Sequence, residues 1–382
     1  MHSLLARLLF AWTAGSAGLA ALPSLVWQPW QHLAGVFDLA GPRSDGQFVA
    51  AAGGRLFLVS RDGTITPFAA GPSGYKEAAG LEAYIALSPG LHVAGSACDF
   101  ARDDLFVLRP AKPLGITRVT PDGRATNFAD ITGVDGLSGI VFDTVGRFDH
   151  RLVVTGPHGQ HSTILAIDCK GGIVSITQHA PPLEGGLAIA PAGFGTHGGE
   201  LIAPDENTGV MLAISATGQS STLVASGIAH GGDIGVESAG FVPAGFSAGG
   251  TAYVADRATP GNPHAGTDTI LQLSSAELGA AGVRDGDLLV SAEGGGVTID
   301  VRCAAICTAT TVVPTATSAH IEGRLVAVTN RPPATPPALP AVTDLGSQRA
   351  QLLLRVGIGL VVVAALLLLV ALRLRRAGRR QP

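Results

Sequence analysis

Between residues 44 and 330 the hydrophobic positions fall in short runs separated by glycine- and proline-rich breaks. This pattern predicts short strands joined by many turns rather than long helices. The breaks recur in register. Gly63 in SRDGTITPF, Gly123 in TPDGRATNF, Gly171 in DCKGGIVSI and Gly218 in SATGQSSTL lie 60, 48 and 47 residues apart. Four residues before each glycine stands Val59, Val119, Ile167 or Ile214, and five after it stands Phe68, Phe128, Ile176 or Leu223. Each unit therefore reads as two strands joined by a tight turn, because Asp-Gly and related pairs supply the positive φ a hairpin requires.

A second strand type recurs as LFVL from Leu105, LVVT from Leu152, LIAP from Leu201, AYVA from Ala252 and LLVS from Leu288, the last with an uncertain place in its unit. A third type precedes it. EAYIALSP from Glu82 aligns with EGGLAIAP from Glu184, and HGGDIGV from His230, EGGGVTI from Glu293 and EGRLVAV from Glu322 are further partners. Four-stranded units repeating about every 50 residues predict an all-β propeller of about six blades, give or take one. A pair of β-sandwiches is the alternative, but it would not require the same strand types in the same order.

The chain resembles the six-bladed propellers of the NHL-repeat and SMP-30/gluconolactonase/strictosidine-synthase-like group, through RDGTITPFA, PDGRATNFA and the EGG or HGG lead-in to each inner strand. The likeness covers about three quarters of the chain and rests on generic blade motifs. It implies the fold. It also implies a divalent ion on the channel axis, held in gluconolactonases by a glutamate, two amide side chains and an aspartate. Glu82 or Glu184 could take the glutamate role. In the third unit, however, GLSGIVFD places Ser138 where that pattern has an asparagine, so the implied lactonase chemistry lacks its ligands.

Both ends read as membrane segments. Leu352 to Leu372 is almost continuously apolar, long enough to span a hydrocarbon core, and is followed by Arg373, Arg375, Arg376, Arg379 and Arg380, which predict a cytoplasmic tail. Arg7 precedes an apolar run from Leu8 to Val26 with small residues near Gly18, Ala20 and Ala21, as in a secretory signal. The expected organisation is a signal peptide or N-terminal anchor over 1–30, an extracytoplasmic propeller over 31–330, a proline-rich linker over 331–348, and a transmembrane helix with a short basic tail over 349–382. If the first segment is cleaved the protein crosses once; if not, twice. Either way the propeller lies outside.

Composition sharpens this. The 382 residues are 46% hydrophobic and 14% charged, which excludes a disordered chain or a coiled coil. Eight of the 25 basic residues stand in terminal segments without acids, leaving 17 against 29 acids in the middle. So acidic a domain disfavours nucleic acid as a partner and favours cations or neutral ligands. Four cysteines in an exported region favour disulfides. Cys303 and Cys307 could close a short loop, leaving Cys98 with Cys169, one of three connectivities.

Chemistry concentrates in acids. The alignment puts Glu82, Glu184, Glu293 and Glu322 at equivalent points of inner strands, with His230 in a fifth unit and Asp233 beside it. Such a ring would repel itself unless protonation, separation or a cation such as Ca²⁺ relieves it; the glutamates could equally bind backbone amides between blades. A second cluster comprises Asp205, Glu206, Asp233, Glu237, Asp256 and Asp268, whose side chains could either bind calcium or cap turns. No Gly-x-Ser-x-Gly elbow, phosphate-loop lysine or His-Glu-x-x-His occurs. The expectation is a cell-surface binding or scaffolding module for an extracellular protein or small molecule, with a metal-dependent hydrolase or lactonase as the alternative.

Overall fold

The structure, a computed structural model, describes residues 25–330. The linker and the expected span at 352–372 lie outside the described residues, as does most of the N-terminal apolar run. Among the described residues no helix is long and apolar enough to cross a membrane.

Six four-stranded antiparallel sheets form the blades of a β-propeller. Blades 1 to 4 run in chain order, each from an inner to an outer strand, with inner strands Val36–Ala40, Ile85–Leu87, Gly139–Phe142 and Ala188–Ile189. The four predicted hairpin glycines all join the third and fourth strands of their blades, with φ of 81° to 87°. In each, the glycine N–H donates to the carbonyl three residues earlier, as Gly123 does to Thr120 and Gly171 to Asp168. These turns also seat one blade on the next. A β-carbon at Gly123 would lie 2.9 Å from Ala69, at Gly171 2.7 Å from the Phe128 carbonyl, and at Gly218 2.8 Å from that of Ile176, each on or just beyond the preceding blade's outer strand. The same contact from Gly63 reaches Gln31, which shows that the sixth blade precedes the first around the ring.

Blades 5 and 6 depart from the simple repeat. The inner strand Val236–Phe241 belongs to blade 5, but the chain then builds the second and third strands of blade 6, Gly250–Asp256 and Thr269–Ser274. A short helix, Ser275–Ala280, opens on a capping box between Ser274 and Glu277. The chain then returns for Leu288–Ala292, Thr298–Cys303 and Cys307–Val313 of blade 5, and finishes as the inner strand of blade 6, Ile321–Thr329. The outer strand of blade 6 is Gln28–His32, so strands from both ends of the described chain close the ring. Two sequence expectations change accordingly. AYVA lies in blade 6 rather than following the blade 5 inner strand, and EGGGVTI enters a third strand rather than an inner one, whereas LLVS holds the second position in blade 5 as LFVL, LVVT and LIAP do in theirs. The propeller also begins before residue 31, since Trp27 is buried and its indole N–H donates to Thr298 Oγ1 at 2.9 Å.

Apolar faces are buried between adjacent blades. Between blades 2 and 3, Phe100, Phe106, Phe128 and Phe142 pack mostly edge to face, with centroids 4.8 to 6.3 Å apart. Two disulfides form, with the pairing favoured by the sequence. Cys98–Cys169 ties a small hairpin of blade 2 to a turn of blade 3, and Cys303–Cys307 closes the blade 5 hairpin where blades 1 to 4 have a turn glycine.

Candidate functional site at the acidic mouth of the channel

The inner strands start at one end of the central channel, and carboxylates gather there. Glu184 leads into the inner strand of blade 4 and Glu82 into that of blade 2, while Glu322 stands at the start of the blade 6 strand. Glu293 arrives differently from the sequence alignment. It follows the second strand of blade 5, so EGGGVTI runs into a third strand and is not equivalent to the other lead-ins. Blade 5 instead contributes Glu237 from its inner strand, where the register shifts between Val236 and Ser238 and admits one extra residue.

The mouth is organised around three polar contacts. His320, 2% exposed, places Nε2 at 2.9 Å from Glu293 and 3.4 Å from Glu322. Burial alone would lower its pKa, but hydrogen bonds to the two glutamates, and their charges, raise it to about 9. Its Nε2 thus bridges the two glutamates, and burial in turn raises the Glu293 pKa to about 7 against the pull of the His320 hydrogen bond. The His320 Nδ1 is buried without a protein partner. Arg257 Nη1 lies 2.9 Å from Glu82 and 3.0 Å from Glu322, with its guanidinium over the Phe37 ring. Tyr84 reaches across the channel from blade 2, and its hydroxyl donates to Glu237 at 2.9 Å. Burial drives the Glu237 carboxyl well above the ordinary range, reinforced by Glu322, Glu184 and Glu293, so it is the neutral acid.

Glycines make this convergence possible. A β-carbon at Gly185 would sit 2.0 Å from the Tyr84 hydroxyl. One at Gly235 would lie 2.2 Å from the Glu206 carbonyl, while the Gly235 carbonyl accepts from the Glu293 N–H. The Glu206 and Glu293 loops are thereby drawn to one point.

The other predicted residues divide. Asp233, exposed and in a left-handed conformation, can bring an oxygen within 4.8 Å of oxygens of Glu206 and Glu293. Glu206 Oε1 is buried and lacks a protein partner. His230 is exposed and sits by the Asn207 carbonyl through Nδ1. Asp205 accepts from the Asn207 N–H and the Thr208 hydroxyl, Asp256 from Thr267 and the His320 N–H, and Asp268 from the Ala258 N–H. Those three aspartates hold turns. Ser138 Oγ lies 3.2 Å from Thr155 Oγ1 and supplies no amide to the mouth.

Glu184 reports the crowding of charge. Burial raises its pKa to about 7, with Glu206, Glu82, Glu293 and Glu322 each adding to the shift. Two groups of ligand character result. Glu293, His320 and Glu322 form one, already bridged by the histidine proton. Glu206, Asp233 and Glu293 form the other, an all-oxygen set. The sequence reading placed Glu237 in an acidic cluster with Asp233 rather than in the ring, and missed Tyr84 and Arg257. A strand bulge brings Glu237 to the mouth and the blade exchange brings Arg257, neither with a local sequence signature, while Tyr84 arrives with the regular inner strand of blade 2.

Neither a family model nor a curated protein matches the chain. Solved structures do. Virginiamycin B lyase from Staphylococcus aureus aligns at 12% identity over 80% of this chain and 96% of its own, with a TM-score of 0.41. A gluconolactonase from Xanthomonas campestris aligns at 11% identity over 78% and 90%, with a TM-score of 0.43. A putative TolB from Agrobacterium tumefaciens aligns at 11% over 74% and 80%, with a TM-score of 0.38.

Proposed function

We propose that this chain is an extracytoplasmic, membrane-anchored propeller that acts as a binding module, and that its channel mouth takes up a divalent cation through Glu206, Asp233 and Glu293. The observation that carries the reading is the buried, unpartnered Glu206 oxygen within reach of two further carboxylates. A hard cation such as Ca²⁺ takes several oxygen ligands, and these residues would supply three, with water completing the shell. The neighbouring His320 set is the poorer site, because a metal there would have to displace the shared proton. Anchoring is supported by the apolar run at 352–372 with its trailing arginines, and export by two disulfides.

Calorimetric titration of the metal-stripped full chain in detergent with CaCl₂ and MnCl₂ tests the cation. Saturable binding is expected, and Asp233→Asn and Glu293→Gln should each weaken it at least tenfold. Absence of binding by the wild-type protein refutes it. A hydrolase reading draws on Glu184, whose raised pKa suits a general base near neutral pH. Cation-dependent turnover of lactones or esters that Glu184→Gln abolishes would favour that reading over pure binding.

A further inference from the structure

The channel has a second mouth, and its chemistry is opposite. The Tyr84–Glu237 bridge crosses the channel on the acidic side. Arg324, on the inner strand of blade 6, also crosses, donating from Nη2 to the Ile140 carbonyl of blade 3 at 3.0 Å. Below these links the C-terminal ends of all six inner strands enclose a cavity of about 340 Å³. Leu87, Phe142, Ile189, Phe241 and Val326 contribute its apolar wall, and Arg324 stands at its inner end. That volume is at the small end of the ~300–1,000 Å³ range of small-molecule sites.

Arg324 lines the cavity and has no carboxylate within ion-pair distance among the described residues. The acid whose charge acts on it is Asp38, whose oxygens are occupied by the N–H groups of Leu39, Ile85 and Arg324 itself at 2.7 to 2.8 Å. Burial raises the Asp38 pKa to about 6, against the pull of the Arg324 charge. Burial likewise lowers that of Arg324, with Asp38 opposing. One guanidinium donor is spent on Ile140, and Arg324 is part of the cavity lining. At the rim, Asp103 is held by the Ser44 N–H and hydroxyl, and the exposed Arg102 beside it adds a positive charge.

We propose that this mouth is a binding site for a small organic monoanion, a carboxylate on an apolar body, with the carboxylate accepting hydrogen bonds from Arg324 and the body filling the cavity. Apolar walls with one convergent charged group are the arrangement that fixes such a ligand in orientation. Arginine suits a carboxylate because its planar fork can present two donors. The site lies at the opposite end of the channel from the carboxylates and does not depend on a cation there.

Fluorine NMR of the full chain in detergent, with 4-fluorobenzoate as probe and 4-fluorobenzamide as its neutral counterpart, tests the proposal. The benzoate should bind saturably and at least tenfold more tightly than the amide, and inorganic phosphate should not displace it. Arg324→Gln should abolish that preference, while Arg324→Lys, keeping the charge, should retain part of it. Equal binding of amide and benzoate by the wild-type protein, or no benzoate binding at all, overturns the proposal without reference to any variant. Displacement by phosphate would also overturn it, because the apolar wall would then contribute nothing.

Discussion

Glu184 and His320 respond to pH in the same sense, over different windows. The Glu184 carboxyl is raised to about 7 in the folded protein, so between pH 4.5 and 7 the native state holds a proton that the unfolded chain has released. Its contribution therefore falls as pH rises through that window. His320, raised to about 9, contributes stability below pH 6.5 that is lost as pH climbs through 9. Metal-free protein should accordingly melt at lower temperature at pH 7.5 than at pH 5, and Glu184→Gln should flatten that slope. Added CaCl₂ should restore the melting temperature at pH 7.5 far more than at pH 5. A melting temperature that rises with pH across this range would contradict the assigned shift. Tyr84 has a separate role, since its hydroxyl is the side-chain donor to a neutral buried acid. Tyr84→Phe should cost about 1–3 kcal/mol in urea unfolding, the penalty for leaving one buried polar group unsatisfied.

The turn glycines show how far sequence carries at the level of elements. Their spacing predicted the hairpins because the residue type needed for positive φ is visible locally, and all four lie where the third strand meets the fourth. Their second role, admitting the preceding blade, depends on tertiary packing and has no local signal. Gly171→Val should therefore destabilise by about 1–3 kcal/mol, because it imposes both a strained φ and a collision with the Phe128 carbonyl. The disulfides separate in the same way. Cys303–Cys307 closes a loop across 4 residues and Cys98–Cys169 one across 71. On chain-entropy grounds the first contributes about 2 kcal/mol and the second about 4. Denaturant midpoints of Cys303→Ser/Cys307→Ser and Cys98→Ser/Cys169→Ser double variants should fall in that order; the reverse order would count against loop entropy as the main contribution.

For the whole molecule, the decisive feature is a closure that the repeat itself does not announce. Strand types in regular order implied units built one after another, and for blades 1 to 4 this is what folding produces. Blades 5 and 6 exchange strands, so AYVA and LLVS, alike in sequence, serve different sheets in the reverse of chain order. A strand's hydrophobic alternation says which face is buried but not which neighbour it pairs with. Hence the glutamate alignment placed Glu82, Glu184 and Glu322 near the mouth but gave Glu293 the wrong route to it. Closure also assigns the N-terminal strand a structural task. Gln28–His32 pairs along Thr269–Ser274, Trp27 is buried against blade 5, and Trp30 packs on Tyr253 with centroids 4.8 Å apart. Removing residues through His32 would expose the edge of the sixth sheet and strip the ring of its last strand, a configuration prone to pairing with other chains. A domain starting at Leu25 should melt cooperatively as a monomer. One starting at Leu33 should lose that transition or self-associate, as followed by calorimetry and sedimentation. If the shorter domain melted at the same temperature and stayed monomeric, the outer strand of blade 6 would not be what holds the circle shut.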